Sequence, residues 1–343
     1  MKLKLLFNAG AILLALHLAW SGWSHAGALD DLIEGAKKEG VVEFYGPSSM
    51  TPEGAEAIGK AFNKKYGMEI GFNYSPSGSM TRDVGKLIGH AATGVAPQWD
   101  VMLVTDAHHG SLWLRKLLEP YDFKKAGVDP NLIHYDSSAV SFANQVCLPA
   151  FNTKTMPAND VPKKWDDLLD PKWKGKMGII HSTHHWARLA AGPWGEEKTT
   201  AFVKKLAQQD PILGRPSEMY TRLQLGEVLL VSTLQNSMIH RAIEKGAPLA
   251  QAEMDPVISP AYHAAVPKGA QHSNAGHLVA IFMTTPEGQE LWEKYTGHTS
   301  AFVPGTTVYK YAQGREMVYM NQKQAKKVDK LSRTYGKILG FRK

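Results

Sequence analysis

The sequence predicts an α/β protein of two doubly wound lobes joined by two hinge crossings. Three observations carry that expectation. Strand, loop and helix patterns alternate three times in the first third of the chain and again in its middle. Two extended segments, Val140 to Asn152 and Val257 to Val266, flank the middle section, so the chain leaves one lobe, builds a second and returns. With 343 residues it is also too long for one ordinary domain and suits two cores.

The chain opens with a secretory signal. Lys2 and Lys4 form a positive start, and Leu5 to Trp20 is apolar apart from Asn8 and His17. Ser24-His25-Ala26 then places small residues where a signal peptidase cuts, after Ala26 or Ala28. The apolar stretch is short for a bilayer span of about 20 residues, so residues 1–26 are expected to be removed and the mature chain exported. Cys147 is the single cysteine. An exported chain with no internal disulfide points to a bacterial periplasm, and the apolar neighbours Val146 and Leu148 make Cys147 a packing residue.

Apolar spacing at Leu29, Leu32, Ile33 and Ala36 predicts a helix that Gly40 ends. Val41 to Tyr45 reads as a strand, Pro52 to Tyr66 as an amphipathic helix, and Glu69 to Tyr74 as the second strand. A Ser-Pro-Ser-Gly-Ser turn leads into a helix from Met80 to His90, and Asp100 to Val104 is the third strand. In the middle section Trp165 to Leu169 is a short helix and Lys176 to Ile180 a strand. Helices follow over Thr199 to Gln208 and Met219 to Gly226, then a strand over Glu227 to Thr233 and a helix over Met238 to Gly246. Asn274 to Tyr295 is helical with a break at Thr285-Pro286-Glu287. The expected division is 27–143 with 266–343 as the first lobe and 144–265, hinge segments included, as the second.

The chain carries a formal +7, about +5 once Lys2 and Lys4 are removed. Much of the excess falls in the tail, at Lys323, Lys326, Lys327, Lys330, Arg333 and Lys337. In an exported protein this run reads as a solvated helix face, and no nucleic-acid partner is expected. A mild bias toward anionic ligands follows from the charge.

Ligands of open α/β sheets bind beyond the carboxyl ends of the strands. In the first lobe that rule selects Ser48 and Ser49, then Ser77, Gly78 and Ser79, then Thr105 and Asp106. In the second it selects His181, Ser182 and Thr183 together with Gln235 and Asn236. Several of these segments open helices, whose free N–H groups and hydroxyls suit a carboxylate, phosphate or phosphonate. Tyr262 is a further candidate from the returning segment. His181, His184 and His185 form a cluster in which two imidazoles four residues apart would share a helical face, the geometry of a metal pair without a third ligand. His108-His109 reads as a solvated loop pair. Arg188, Arg215 and Arg222 are candidates for anion pairing, and Trp186 and Trp194 for an apolar ligand face. No G-x-S-x-G or H-E-x-x-H motif is present; no enzyme activity and no cofactor are expected.

Several stretches resemble a known family. Ala28-Leu29-Asp30-Asp31-Leu32-Ile33 looks like a mature start. Pro162 to Lys176, with its Trp165-Asp166-Asp167-Leu168 helix, is the most specific match. Gly226-Glu227, Pro267 to Ala275 and Thr285-Pro286-Glu287-Gly288-Gln289 complete the set. Together they resemble the bacterial extracellular solute-binding proteins that include the ferric-iron receptors. The resemblance implies a class II periplasmic-binding-protein fold, a small-molecule solute held between the lobes of a monomer, and an inner-membrane ABC permease with its ATPase as partners. In the ferric-iron members a tyrosine pair follows the second-lobe strand. Here that place holds Gln235-Asn236-Ser237-Met238, and a hydroxyl- and amide-lined cleft suits an anionic or oxygen-rich solute. A ferric-iron receptor, and a periplasmic enzyme using the His181, His184 and His185 cluster, stand as the alternatives.

Overall fold

The computed structural model describes residues 27–341, so the expected secretory signal lies outside the described residues. A helix over 27–39 (α1) buries Leu32 and Ala36 and stops where Gly40 takes φ +73°. The first lobe continues through β1 (Val41–Pro47), α2 (Thr51–Tyr66), β2 (Gly71–Ser77), α3 (Met80–Ala92), β3 (Val101–Thr105), α4 (Asp106–Trp113), β4 (Ile133–His134) and β5 (Ala139–Asn144). The second lobe follows as β6 (Cys147–Asn152), β7 (Met177–Ile180), α5 (His184–Ala191), α6 (Gly195–Ala207), β8 (Ile212–Gly214), α7 (Pro216–Leu225), β9 (Leu230–Gln235), α8 (Asn236–Glu244), β10 (Leu249–Gln251) and β11 (Val257–Ile258). The return section is β12 (Ala261–Ala265), α9 (Ser273–Thr284), α10 (Pro286–Thr296), α11 (Thr307–Ala312), β13 (Met317–Val318) and α12 (Ala325–Ile338).

The first sheet has the order β2-β1-β3-β12-β5-β4, and the second β13-β11-β6-β9-β7-β8 with β10 beside β6. In the first, β1 runs parallel to β2 and β3, and β12 is antiparallel to β3 and β5. In the second, β7 is parallel to β8 and β9. Parallel neighbours need crossover helices, which cover both faces and make the central strands apolar throughout. Val-Met-Leu-Val-Thr in β3 is accordingly buried at every position.

Two crossings join the lobes. The chain passes from β5 to β6 through Gln145-Val146 and returns from β11 to β12 through Ser259-Pro260. The crossings are tied to each other, since Gln145 N–H donates to the Pro260 carbonyl at 2.9 Å. The break expected in the long return helix is real: Thr285 caps α10, accepting from Gly288 N–H, and Pro286 occupies its first turn.

The stretch 266–343, which the sequence reading assigned whole to the first lobe, divides in the structure. Its later part re-enters the second sheet, where Met317 and Val318 pair with Val257 and Ile258. From there α12 packs on α5 and α6 as well as on α4. It buries Val328, Leu331 and Tyr335 and leaves the six basic residues of the tail exposed, the solvated face that the charge pattern implied. Trp186 and Trp194 pack with Trp165 and Phe202; they are wall residues of the second lobe, not covers for a ligand. Cys147 is buried, and burial pushes its thiol pKa up. No described helix is long and apolar enough to cross a membrane.

Candidate functional site

The carboxyl ends of β1, β2, β3, β7 and β9 converge on a cleft of about 200 Å³ between the lobes. Ser48, Ser49, Ser77, Gly78, Ser79 and Thr105 line it from the first lobe, and His181, Ser182 and Gln235 from the second. Tyr262, at the start of the returning strand, lines it too. The chain turns at each of these strand ends, and a short hydroxyl there can satisfy an N–H group that a new helix leaves free. Ser79 does so for α3, accepting from Arg82 N–H.

The lobes touch across this cleft. Ser79 Oγ lies 2.8 Å from His181 Nε2, and Arg241 of α8 donates through Nη1 to the Ser49 carbonyl at 2.6 Å. Burial lowers the Arg241 pKa. Among the described residues Arg241 is the one formally charged side chain lining the cleft, and no aspartate or glutamate lines it. Helices α3, α5, α7 and α8 begin in or beside the lining, so their positive ends reinforce that charge. Two buried polar atoms of the lining, Ser49 Oγ and His181 Nδ1, have no protein partner, and Gln145 Nε2 and Tyr262 Oη lie near each other and have no other partner. Buried groups of this kind are ordinarily satisfied, and here they gather around one space.

Three expected residues are placed elsewhere. Asp106 is fully buried at the start of α4, where its carboxylate pairs with Arg188 and accepts from the backbone N–H groups of Ala261 and Met320 at 3.3 and 2.9 Å. A strand-end carboxylate became an interlobe tie because Arg188 of α5 reaches it; Arg188 is thus neither a surface residue nor a ligand contact. Thr183 donates to the Ser332 carbonyl at 2.8 Å. The Asn236 side chain accepts from Val146 N–H at 3.3 Å, holding a crossing segment.

The histidines also differ from expectation. His181 and His185 do not share a helical face, because α5 begins at His184. His184 Nδ1 is held by Arg188 Nη1 at 2.7 Å, and His185 Nδ1 lies 3.1 Å from Thr233 Oγ1. Burial, with nearby Arg215 and Arg82, lowers the His181 pKa; burial takes His185 down to about 3. Among the described residues no group of three or more His, Cys, Asp or Glu is arranged to hold a metal ion. His108 and His109 are not a solvated loop pair. They lie buried on α4, and His108 bridges Thr105 and Thr81 at 2.8 and 3.1 Å.

Sequence reasoning missed Arg241 and Gln145. Gln145 sits in a crossing and Arg241 is beyond the first turn of α8, so the strand-end rule reaches neither. Tyr45 Oη donates to Asp83 Oδ2 at 2.9 Å and lies 2.6 Å from Ser77 Oγ, and Tyr74 donates to the Pro47 carbonyl. Only Tyr262 faces the cleft, and burial pushes its pKa up.

Two α/β lobes, two tied crossings and a polar cleft at the strand ends define the class II periplasmic-binding-protein fold. Solved structures of that class overlay closely. Iron-bound HitA from Pseudomonas aeruginosa is 18% identical at TM-score 0.67, over 86% of this chain and 99% of that one. AfuA from Actinobacillus pleuropneumoniae, with exogenous fructose-6-phosphate bound, is 19% identical at 0.69, over 88% and 99%. AgtB from A. tumefacien R10, in complex with agropinic acid, is 17% identical at 0.69, over 88% and 98%. No curated protein sequence matches. The family model described as bacterial extracellular solute-binding protein matches residues 57–310, and the chain belongs to that family. It is a periplasmic solute-binding component of an ABC importer and serves an inner-membrane permease and its ATPase.

Proposed function

We propose that the chain captures a small organic anion, a carboxylate or phosphate carrying hydroxyl or amide groups, and that Arg241 pairs with its charge. The observation that carries this reading is the single positive side chain in a cleft lined by no acidic one. The unpartnered hydroxyl of Ser49, the Tyr262 hydroxyl and the Gln145 amide supply hydrogen bonds for the neutral part of such a molecule. Ser48, Ser77, Ser79, His181 and Gln235 complete the proposed contact set. Two of the related structures hold organic anions, which agrees with this reading; a third holds iron.

Ferric iron fits the lining less well, because it offers one phenol whose pKa burial raises and no carboxylate. Mass spectrometry of the small molecule released by denaturing the purified protein is expected to find an anion. Arg241→Ala should weaken its binding about 10–100-fold, the worth of a hydrogen bond to a charged group, as read by calorimetry. A purple-red tyrosinate–iron(III) colour on adding ferric salt would overturn the proposal in favour of iron.

A further inference from the structure

His181, bonded to Ser79 across the lobes, stands between the polar cleft and a second space. Thr81, His108, His181 and His184 line the cleft on one side and, on the other, line this second chamber of about 690 Å³. The chamber lies between α3 and α4 of the first lobe, β8 and the start of α7 of the second, and α12. Val84, Ile88, Leu213 and Val328 give it an apolar wall. Its polar groups are not mutually satisfied. Arg115 and Arg333 share Asp329 at 3.6 and 2.6 Å, and Glu218 pairs with Arg222, whereas Arg215 makes no ion pair among the described residues. Ser332 Oγ is buried there without a protein partner. At the junction His181 uses Nε2 on Ser79 and leaves Nδ1 without one.

Gly85 adds a steric observation. It lies inside α3 on the chamber lining, and a Cβ at this position would meet no heavy atom within 4 Å. Glycine weakens a helix interior relative to alanine; here it keeps the α3 wall low.

We infer that the solute is a two-part organic anion, whose head sits at Arg241 and whose tail passes His181 into this chamber. The tail is apolar along Val84, Ile88 and Leu213 and polar at its end, where Arg215 and Ser332 Oγ receive it. A compact anion would fill the cleft and leave the larger compartment, with its unpartnered groups, unused. The inference rests on the proposed reading of the cleft as an anion site.

Titration calorimetry with inorganic phosphate, phenyl phosphate and 2-naphthyl phosphate tests it, with acetate and 4-phenylbutyrate as the carboxylate pair. In the unmodified protein the tailed probe of at least one series should bind about 10–100-fold tighter than its bare head, from the apolar area it buries. Gly85→Trp, which changes no residue assigned a contact with the solute, should remove that gain and leave the bare head's affinity unchanged, and Leu213→Trp should remove the gain as well; thermal melts check that both variants fold. Arg241→Ala should weaken head and tailed probes alike. Tailed probes that bind no tighter than bare heads, or a gain that survives both filled chambers, overturn the two-part solute while Arg241-dependent head binding still upholds the anion site. Absence of any Arg241-dependent binding overturns both.

Discussion

Arg188→Ala is expected to destabilise the protein by about 3–5 kcal/mol, more than any substitution in the cleft lining. Arg188 and Asp106 have no solvent-exposed side-chain surface, so deleting one leaves the other as a buried charge without its counter-ion. Burial lowers the Arg188 pKa only to about 9, so the guanidinium is still charged at neutral pH. The damage is not local. Asp106 begins α4 in the first lobe, Arg188 belongs to α5 in the second, and the same carboxylate holds the N–H groups of Ala261, where the chain has just returned, and Met320, where it has passed back. Urea melts at pH 7.5 read the loss directly. Asp106→Ala should cost a similar amount, and the double variant Asp106→Asn/Arg188→Met should recover part of it, because it removes both buried charges and keeps an amide oxygen to accept from those N–H groups. A loss below about 1 kcal/mol in Arg188→Ala, the size of an ordinary surface change, would show that the pair does not hold the lobes.

That pair also marks where sequence reasoning stopped. Serines and His181 at the strand ends could be placed in the cleft because parallel topology decides which end of a strand faces a ligand. The same rule selected Asp106, but whether a carboxylate faces a ligand or a guanidinium depends on a partner 82 residues away. His108 and His109 read as polar surface because adjacent imidazoles carry no burial signal of their own; packing of α4 between β12 and α12 encloses them. Arg241 reads as an ordinary helix-surface cation, and only closure of the second lobe on Ser49 gives it a role. β13 has two residues and hence no periodicity, although it decides that the tail belongs beside the second sheet. Local pattern carried the strands and most of the cleft; contacts between distant segments decided the charges.

Those enclosed histidines lead to the second large effect, a steep loss of stability in mild acid. Burial takes His108, His109, His185 and His298 down to about 3 and holds His184 and His263 well below their ordinary value. An unfolded histidine titrates near pH 6.5. Above that pH both states are neutral and these groups contribute no pH dependence. As the pH falls from about 6.5 toward 3, the unfolded chain takes up protons that the folded chain refuses, and stability declines throughout that window. At pH 5 each of the four is expected to cost about 2 kcal/mol when it alone titrates, a large share of a whole-protein stability of about 5–15 kcal/mol. Urea melts at pH 7.5, 6 and 5 should therefore show a midpoint that falls steeply. His298 offers the cleanest control, because neither ring nitrogen has a protein partner and the neighbouring Arg241 adds to the effect of burial. His298→Phe should reduce the loss between pH 7.5 and pH 5 by about 2 kcal/mol. Equal acid sensitivity in the variant, or a midpoint that stays level down to pH 5, would mean that the imidazoles take up protons in the folded state and that their pockets admit water.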